Sequence, residues 1–367
     1  GLLIDGTFVP IDCIFSILHG EFGEDGKIQK LFEDANIPYV GSGVKASADA
    51  MDKAHAKELF AAAGLKVAPG IVVKQGDVLP SAESLSYPVF VKPSSGGSSR
   101  GTRIGWREEG GGGHTRTLQG GQVLEKAGVA FSAVHGPVTA AMKQQLGHEG
   151  ESFFATGVSI VLHPRHPRHP IMHMNVRYFE LEDHTYWFGG GIDLTPHYVD
   201  LKQAKMFHGS LKEVSDQYSP DFYPKFKEWA DRYFFLPHRG ESRGVGGIFF
   251  DQLHEVNSGL DKTQLFNYCI DLGKLFPVVY KAQIDAVTTT APSAEEMNWQ
   301  ALRRGRYVEF NLLHDRGTKF GIYSGGRTES ILMSMPPVAN WAYNQEPAPN
   351  SEEQKTLSFL RAFHEFC

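Results

Sequence analysis

The stretch RRGRYVEFNLLHDRGTKFGIYSGGRTESILMSMPP, Arg303 to Pro337, decides how the rest of the chain is read. Val308, Phe310 and Leu312 alternate with Tyr307, Glu309 and Asn311, a period of two that predicts a strand with one buried face. Asp315-Arg316-Gly317 supplies turn residues and Phe320 and Ile322 a second alternation, so the segment is expected to be a β-hairpin. Gly325-Gly326-Arg327 then sets one guanidinium on permissive backbone before Pro336-Pro337 ends a short apolar run. Arginines gathered around glycine-marked turns favour a polar face meant for anions, against the plainer reading of solvated arginines on an ordinary hairpin.

Upstream, Val158, Ile160 and Leu162 alternate with Gly157, Ser159 and Val161, and His163 continues the second face. After a histidine/proline/arginine turn, IMHMNVRYFE sends Met172, Met174, Val176 and Tyr178 one way and His173, Asn175 and Arg177 the other. Such a polar face is either a site or a strand's solvent side. YWFGGG and IDLTP follow, setting Asp193 beside glycines and aromatics, where burial raises a carboxylate's proton affinity unless arginines counter it. Residues 201–215 read as a helix carrying His208, and Phe226, Trp229 and Tyr233 as the packing face of the next. HRGESRGVGGIFFD brings His238, Arg239 and Arg243 to a strand holding Phe249, Phe250 and Asp251, and residues 263–287 form another helix. The glycines at 110–113 are either a mobile cover for a ligand or a plain connection.

The bulk properties exclude several classes. With 41% hydrophobic and 21% charged residues in 367, the chain is neither disordered nor collagen-like, and has length for two or three domains. A formal charge of -6 gives no reason to expect nucleic acid, so anion binding must rest on local arginines. Cys13, Cys269 and Cys367 are too scattered for a disulfide framework, which favours a reducing compartment and a cytoplasmic location. No apolar run reaches membrane-spanning length, and GLLIDGTFVPID lacks the basic start of a targeting segment.

Residues 1–105 alternate strand, helix and glycine-rich turn, an α/β pattern: a strand over Ile11–Leu18, helices over Lys27–Ala35 and from Ser47 to Ala63, and a strand in YPVFVK. The words LHGEFGEDGKIQKLFE, IPYVGSGVKAS, MDKAHAK and YPVFVKPSSGGSSRG resemble D-alanine-D-alanine ligase, an ATP-grasp enzyme. The resemblance implies nucleotide-binding roles for Lys53, Lys92 and Ser98. Its magnesium-binding half has no counterpart here, so a vestigial ATP site is expected in an incomplete α/β fragment with exposed apolar edges.

From Trp106 the words change. ATGVSIVLHPRHP, HMNVRYFE, WFGGGIDLTP, YPKFKEWADRYFFLPHRGESRGVGGIFFD and RRGRYVEFNL through GGRTESILMSMPP resemble oxygen-dependent coproporphyrinogen III oxidase. The expected fold is α+β, a large antiparallel sheet flanked by helices over 106–367, with the ligase-like fragment over 1–105. The resemblance implies oxidative decarboxylation of coproporphyrinogen III by O2, with a homodimer as the assembly. It assigns His173 as proton donor and Asp193 to the pyrrole N–H groups. Arg177, Arg243 and Arg327 would take carboxylates, a role suited to the planar guanidinium, and Ser159, Asn175, Val176, Gly325 and Gly326 would contact substrate. No cofactor is required on this reading; the alternative is a divalent cation on His163, His173, His208 and His238, whose spacing is not that of a compact site. Two rivals are an ATP-dependent ligase and a porphyrin binder without catalysis.

Overall fold

Two alternating stretches, FFATGVSIVLHP and IMHMNVRYFEL, pair along their whole length and form the centre of the molecule's main sheet. The computed structural model describes the chain apart from residues 1, 5–6, 17, 19–21, 75, 79–88, 96–101, 109, 139–141, 144–149, 288–289 and 324–326. It divides into two compact units, Gly1–Arg103 and Ile104–Cys367.

The first unit holds β1 (Leu2–Ile4), β2 (Thr7–Val9), β3 (Ile14–Phe15), α1 (Lys27–Asp34), β4 (Tyr39–Val40), α2 (Val44–Met51), α3 (Lys53–Ala62) and β5 (Val89–Val91). β3 and β4 pair in parallel, whereas β1 and β2 are antiparallel. The helix expected from Ser47 to Ala63 is two helices. Asp52 leaves helical geometry (φ −80°, ψ 104°) and its carboxylate accepts the Ala54 and His55 N–H groups, starting α3 anew. The strand expected over Ile11–Leu18 shrinks to Ile14–Phe15. Phe8, Phe15, Val40, Phe60 and Ile71 are exposed, the apolar surface of a unit with a small core.

The sheet continues through β6 (Thr102–Glu108), β7 (Gly111–Gln119), β8 (Leu124–Pro137), β9 (Ser152–Pro164), β10 (Ile171–Leu181) and β11 (Tyr186–Thr195). Then come α4 (Leu201–Asp216), α5 (Phe222–Tyr233), the short pair β12 (Phe235–Leu236) and β13 (Glu241–Ser242), and β14 (Gly247–Leu253). The remaining helices are α6 (Glu255–Ser258), α7 (Lys262–Asp285), α8 (Ala294–Leu313), α9 (Arg316–Tyr323), α10 (Thr328–Leu332) and α11 (Glu352–Leu360). The strand order is β14-β11-β10-β9-β8-β7-β6, and the pairs from β7 to β14 are antiparallel. Gly111, Gly112 and Gly113 are ladder residues of β7, opposite Val134, Ala133 and Ser132, so neither a mobile cover nor a loose connection describes them.

One face of the sheet is the core. Met172, Met174, Ile192, Leu194, Ile248 and Phe250 pack there against Phe207 and Leu211 of α4, Phe222 and Phe226 of α5, and Leu265, Tyr268 and Leu272 of α7. Each fully buried aliphatic or aromatic side chain contributes about 1.5–3 kcal/mol from burial. The antiparallel sheet flanked by helices is the expected α+β architecture.

The hairpin expected between Val308 and Ile322 is helical. Ser293 and Glu296 form a capping box that starts α8, and Tyr307 and Phe310 lie buried on one helical face with Arg303. Six alternating residues fit either period; α8 wins because Arg303 and Arg304 find Glu241 and Glu125, which lets a helix bearing buried arginines close against the sheet. Asp315, read as a turn residue, accepts the Thr318 N–H at 2.7 Å and initiates α9.

Candidate active site

The sheet's other face is polar, and the pairing register places its residues in rows. Gly128, Val161, His173, Asp193 and Gly247 form one row across five strands. Ala130, Ser159, Asn175, Gly191 and Phe249 form the next, followed by Ser132, Gly157, Arg177 and Gly189. Glycine, alanine and serine surround the long polar groups, so the sheet is a low floor from which an imidazole, an amide and a guanidinium rise. Gly189 and Gly191 of YWFGGG contribute to that floor, while Gly190 between them faces the core against Phe250. A side chain at 189 would meet Asp251 Oδ1 at 2.7 Å and Arg177 Nε at 2.8 Å.

α8 covers one end of this face. Tyr307 packs with Val161 and Ile171, and the His163 ring meets it edge-on at 5.2 Å. Phe249, Phe310 and Phe234 form an aromatic wall, with Tyr233 stacked on Phe249 at 4.1 Å. Where wall and floor meet, Arg243 lies beneath Phe234, Tyr307 and Phe310, its Cζ 4.4–4.7 Å from their ring centres. It pairs with Asp193 Oδ2, while Asp193 Oδ1 lies 2.8 Å from His173 Nδ1. Burial acts to raise the Asp193 carboxyl, but the Arg243 charge and the His173 hydrogen bond outweigh it and hold the group below its ordinary value. An ionised Asp193 accepts the Nδ1 proton of His173, which leaves Nε2 of a quarter-exposed ring to exchange protons with a ligand.

Arg177 lies two rows along. Its Nη1 donates to Asn175 Oδ1 at 3.0 Å and its Nη2 meets Asp251 Oδ1 at 3.0 Å. The structure thus brings His173, Asp193, Asn175, Arg177 and Ser159 onto one surface. Arg243, expected to face a substrate carboxylate, is 2% exposed and reaches Asp193 instead. The Val176 side chain lies on the opposite face, packed against the core, because neighbouring strand residues alternate. Arg327 starts α10, and among the described residues its guanidinium has no ion-pair partner. Gly325, Gly326 and Ser98 lie outside the described residues. Lys53 Nζ reaches the Ser94 carbonyl at 3.5 Å, and Lys92 sits just beyond β5 with its ammonium 5.7 Å from the Phe90 ring centre.

The four histidines weighed as cation ligands are not brought together. His163, on the polar face, meets the Ser334 carbonyl through Nε2 at 2.8 Å. His208 lies on the core side, with Nδ1 on the Tyr223 hydroxyl at 3.1 Å and Nε2 on the Val245 carbonyl at 3.0 Å. His238 is held by Glu309 at 2.9 Å and by His314 at 3.2 Å. Ligands on opposite sides of a sheet cannot share one ion, and among the described residues no three His, Cys, Asp or Glu groups are placed to hold a metal. The four therefore do not fit a common cation. Glu309, not singled out by the sequence, gathers His238, Arg239, Arg306 and Trp341, which hold its carboxyl down at about 2 against the burial that would raise it. Asp251 was legible only as the end of an apolar run; its role depends on a neighbouring strand.

Fold and site define an α+β protein with one apolar sheet face in the core and one polar face carrying His173, Asn175 and Arg177. The chain belongs to the coproporphyrinogen III oxidase family, whose model matches residues 96–366. It is 48% identical over 274 residues to the mouse protein named oxygen-dependent coproporphyrinogen-III oxidase, mitochondrial, covering 70% of this chain and 60% of that one. The human protein of the same name is 46% identical over 269 residues (70% and 58%), and the fruit fly oxygen-dependent coproporphyrinogen-III oxidase 47% over 268 (70% and 68%). This chain thus spans about three fifths of the length of its mammalian relatives. Residues 5–42 are similar to the D-ala D-ala ligase N-terminus and residues 52–122 to the ATP-binding domain of the carbamoyl-phosphate synthase L chain. Among the described residues no helix is long and apolar enough to cross a membrane.

Proposed function

We propose that this chain carries out the oxygen-dependent oxidative decarboxylation of coproporphyrinogen III to protoporphyrinogen IX, a step of haem biosynthesis. The observation that carries this reading is the floor of small residues bearing His173–Asp193–Arg243 beside Arg177. A broad tetrapyrrole with carboxylate arms needs a wide low surface and a cation at its edge, and the sheet supplies both. Each of two propionates, R–CH2–CH2–COOH, reacts with O2 to give R–CH=CH2, CO2 and H2O2. The substrate pyrrole supplies the electrons that reduce O2, a propionate hydrogen goes to the resulting peroxide, and the carboxylate leaves as CO2.

The chain's own residues bind and orient. Arg177 takes a substrate carboxylate while Ser159 and Asn175 hydrogen-bond across the floor. Asp193, expected from the resemblance to meet the pyrrole N–H groups, is as buried as Arg243 and has both oxygens engaged; kept ionised by Arg243, it acts on the substrate through His173, whose ring it orients. Because the propionate is bound as its carboxylate, the departing hydroperoxide needs one proton to become H2O2, and His173 delivers it from Nε2, a contribution of about 10²–10⁴ in rate for a positioned acid. A homodimer, and a cytoplasmic location consistent with three free cysteines, belong to the same proposal.

The test is aerobic turnover of coproporphyrinogen III by the purified chain, with and without a chelator, read as protoporphyrin fluorescence after oxidation and as released CO2. Turnover surviving chelation supports the reading. Tight tetrapyrrole binding without CO2 would make the chain a binder, not an enzyme.

A further inference from the structure

One contact on the polar face is built at a local cost. Between β11 and β14 the register slips, Phe188 opposing Leu253 and Gly190 opposing Phe250, so β14 carries an extra residue. Gln252 absorbs it at φ 49°, a left-handed backbone that a non-glycine residue adopts only with strain. The bulge sets Asp251 against Arg177: Asp251 Oδ1 accepts from Arg177 Nη2 at 3.0 Å and from the Gln252 N–H at 3.0 Å. Gly189 lies between the partners, and a Cβ there would meet Asp251 Oδ1 at 2.7 Å and Arg177 Cζ at 2.9 Å. A bulged strand and a side chain omitted from the intervening one thus serve the same ion pair.

Stability does not explain this arrangement. The two side chains are 36% and 28% exposed, and a pair so solvated contributes little to folding. Orientation does explain it. Asn175 holds Nη1 and Asp251 holds Nη2 from separate strands, which fixes the plane of the guanidinium, and among the described residues Nε and the remaining N–H bonds meet no other acceptor, which leaves them to a ligand carboxylate. We propose that Asp251 is a positioning residue: it holds Arg177 in the geometry that receives a substrate carboxylate, with Gly189 providing the passage between them. A guanidinium held before the ligand arrives loses less freedom on binding, so the effect falls on substrate affinity.

This inference rests on the reading of Arg177 as a carboxylate binder, and its test separates the two. In the full chain, Asp251→Ala and Gly189→Ala are each expected to raise KM for coproporphyrinogen III about tenfold while kcat stays within about twofold. Asp251→Asn, which keeps an accepting oxygen, should recover most of the loss. The double variant Asp251→Ala/Gly189→Ala should be no worse than the poorer single one, because both break one contact. Independently of activity, the Nε–Hε resonance of Arg177, assigned by its disappearance in Arg177→Lys, should be rigid in the parent and in Asp251→Asn and mobile in Asp251→Ala. An unchanged KM in Asp251→Ala and Gly189→Ala, or an Arg177 side chain as rigid without Asp251 as with it, overturns the proposal. Should Asp251→Ala fail to fold, Gly189→Ala and Asp251→Asn decide it by the same measurements. If the parent chain turns over no substrate, the function reading fails, and the resonance of Arg177 alone decides whether Asp251 positions it.

Discussion

Asp193 and Arg243 form an ion pair in which each side chain is only 2% exposed, and the carboxylate's second oxygen holds the ring of His173 at 2.8 Å. A buried pair of this kind is compensated only while both members are present. It therefore joins the folding of the β11–β14 region to the orientation of the His173 ring on the polar face.

Replacing Arg243 by leucine should strand the Asp193 charge and destabilise the protein by about 3–5 kcal/mol in urea unfolding. Asp193→Asn should cost less in stability but lower kcat about 100-fold or more, since the neutral amide no longer pins the His173 tautomer and ring orientation. The double variant should be less destabilised than the two single losses predict; simple additivity would show that the partners do not sense each other.

Stability should fall steeply in weak acid. Burial pushes His163 and His197 down to about 3 and His208 down to about 4, so the folded chain keeps these rings neutral while the unfolded chain protonates them near 6.5. The unfolded state then binds more protons at every pH between about 6.5 and 4, and each ring removes about 1.4 kcal/mol per pH unit across that window. Glu309, with its folded value near 2, adds a loss of the same sign only below about 4.5. Urea midpoints at pH 7.5, 6 and 5 measure this, and a flat profile would contradict the burial of the three rings.

Gly128 lies in the first row of the floor, directly under Met333, and a Cβ there would overlap the Met333 Cγ and Sδ atoms. Gly128→Ala should push away the turn after α10, loosen the Lys126 ammonium from the Met335 carbonyl it meets at 2.7 Å, and cost about 1–3 kcal/mol through overpacking. Adding Met333→Ala should restore much of that loss in thermal unfolding. No restoration would place the strain elsewhere.

Residues 104–367 contain their own core and every candidate catalytic group, so expressed alone they should fold cooperatively and keep turnover within about threefold of the full chain. The full chain should not hydrolyse ATP. Lost activity in the shorter chain, or ATP hydrolysis by the longer one, would show that the first unit contributes to function.

The polar strand face was readable from residues 157–193, because a period of two in IMHMNVRYFE admits only one assignment of faces, and β9, β10 and β11 follow it. The segment 303–337 misled for the converse reason: its alternation covers too few residues to separate strand from helix, and the partners that settle it, Glu125 and Glu241, lie far away in the chain. The histidines shared a residue type and a stretch of chain, yet His163 and His208 ended on opposite sides of the sheet.

By itself the sequence determined the family, the two-part organisation of words and the line of His173, Asn175 and Arg177, since these depend on local pattern and chemical type. Only the tertiary structure decided that Arg243 serves Asp193 from the interior, that Val176 faces the core, and that Asp251 reaches Arg177 across a bulge. Those outcomes depend on which strands lie side by side and in what register. Register is set by packing summed over the whole sheet, and no local stretch of residues carries it.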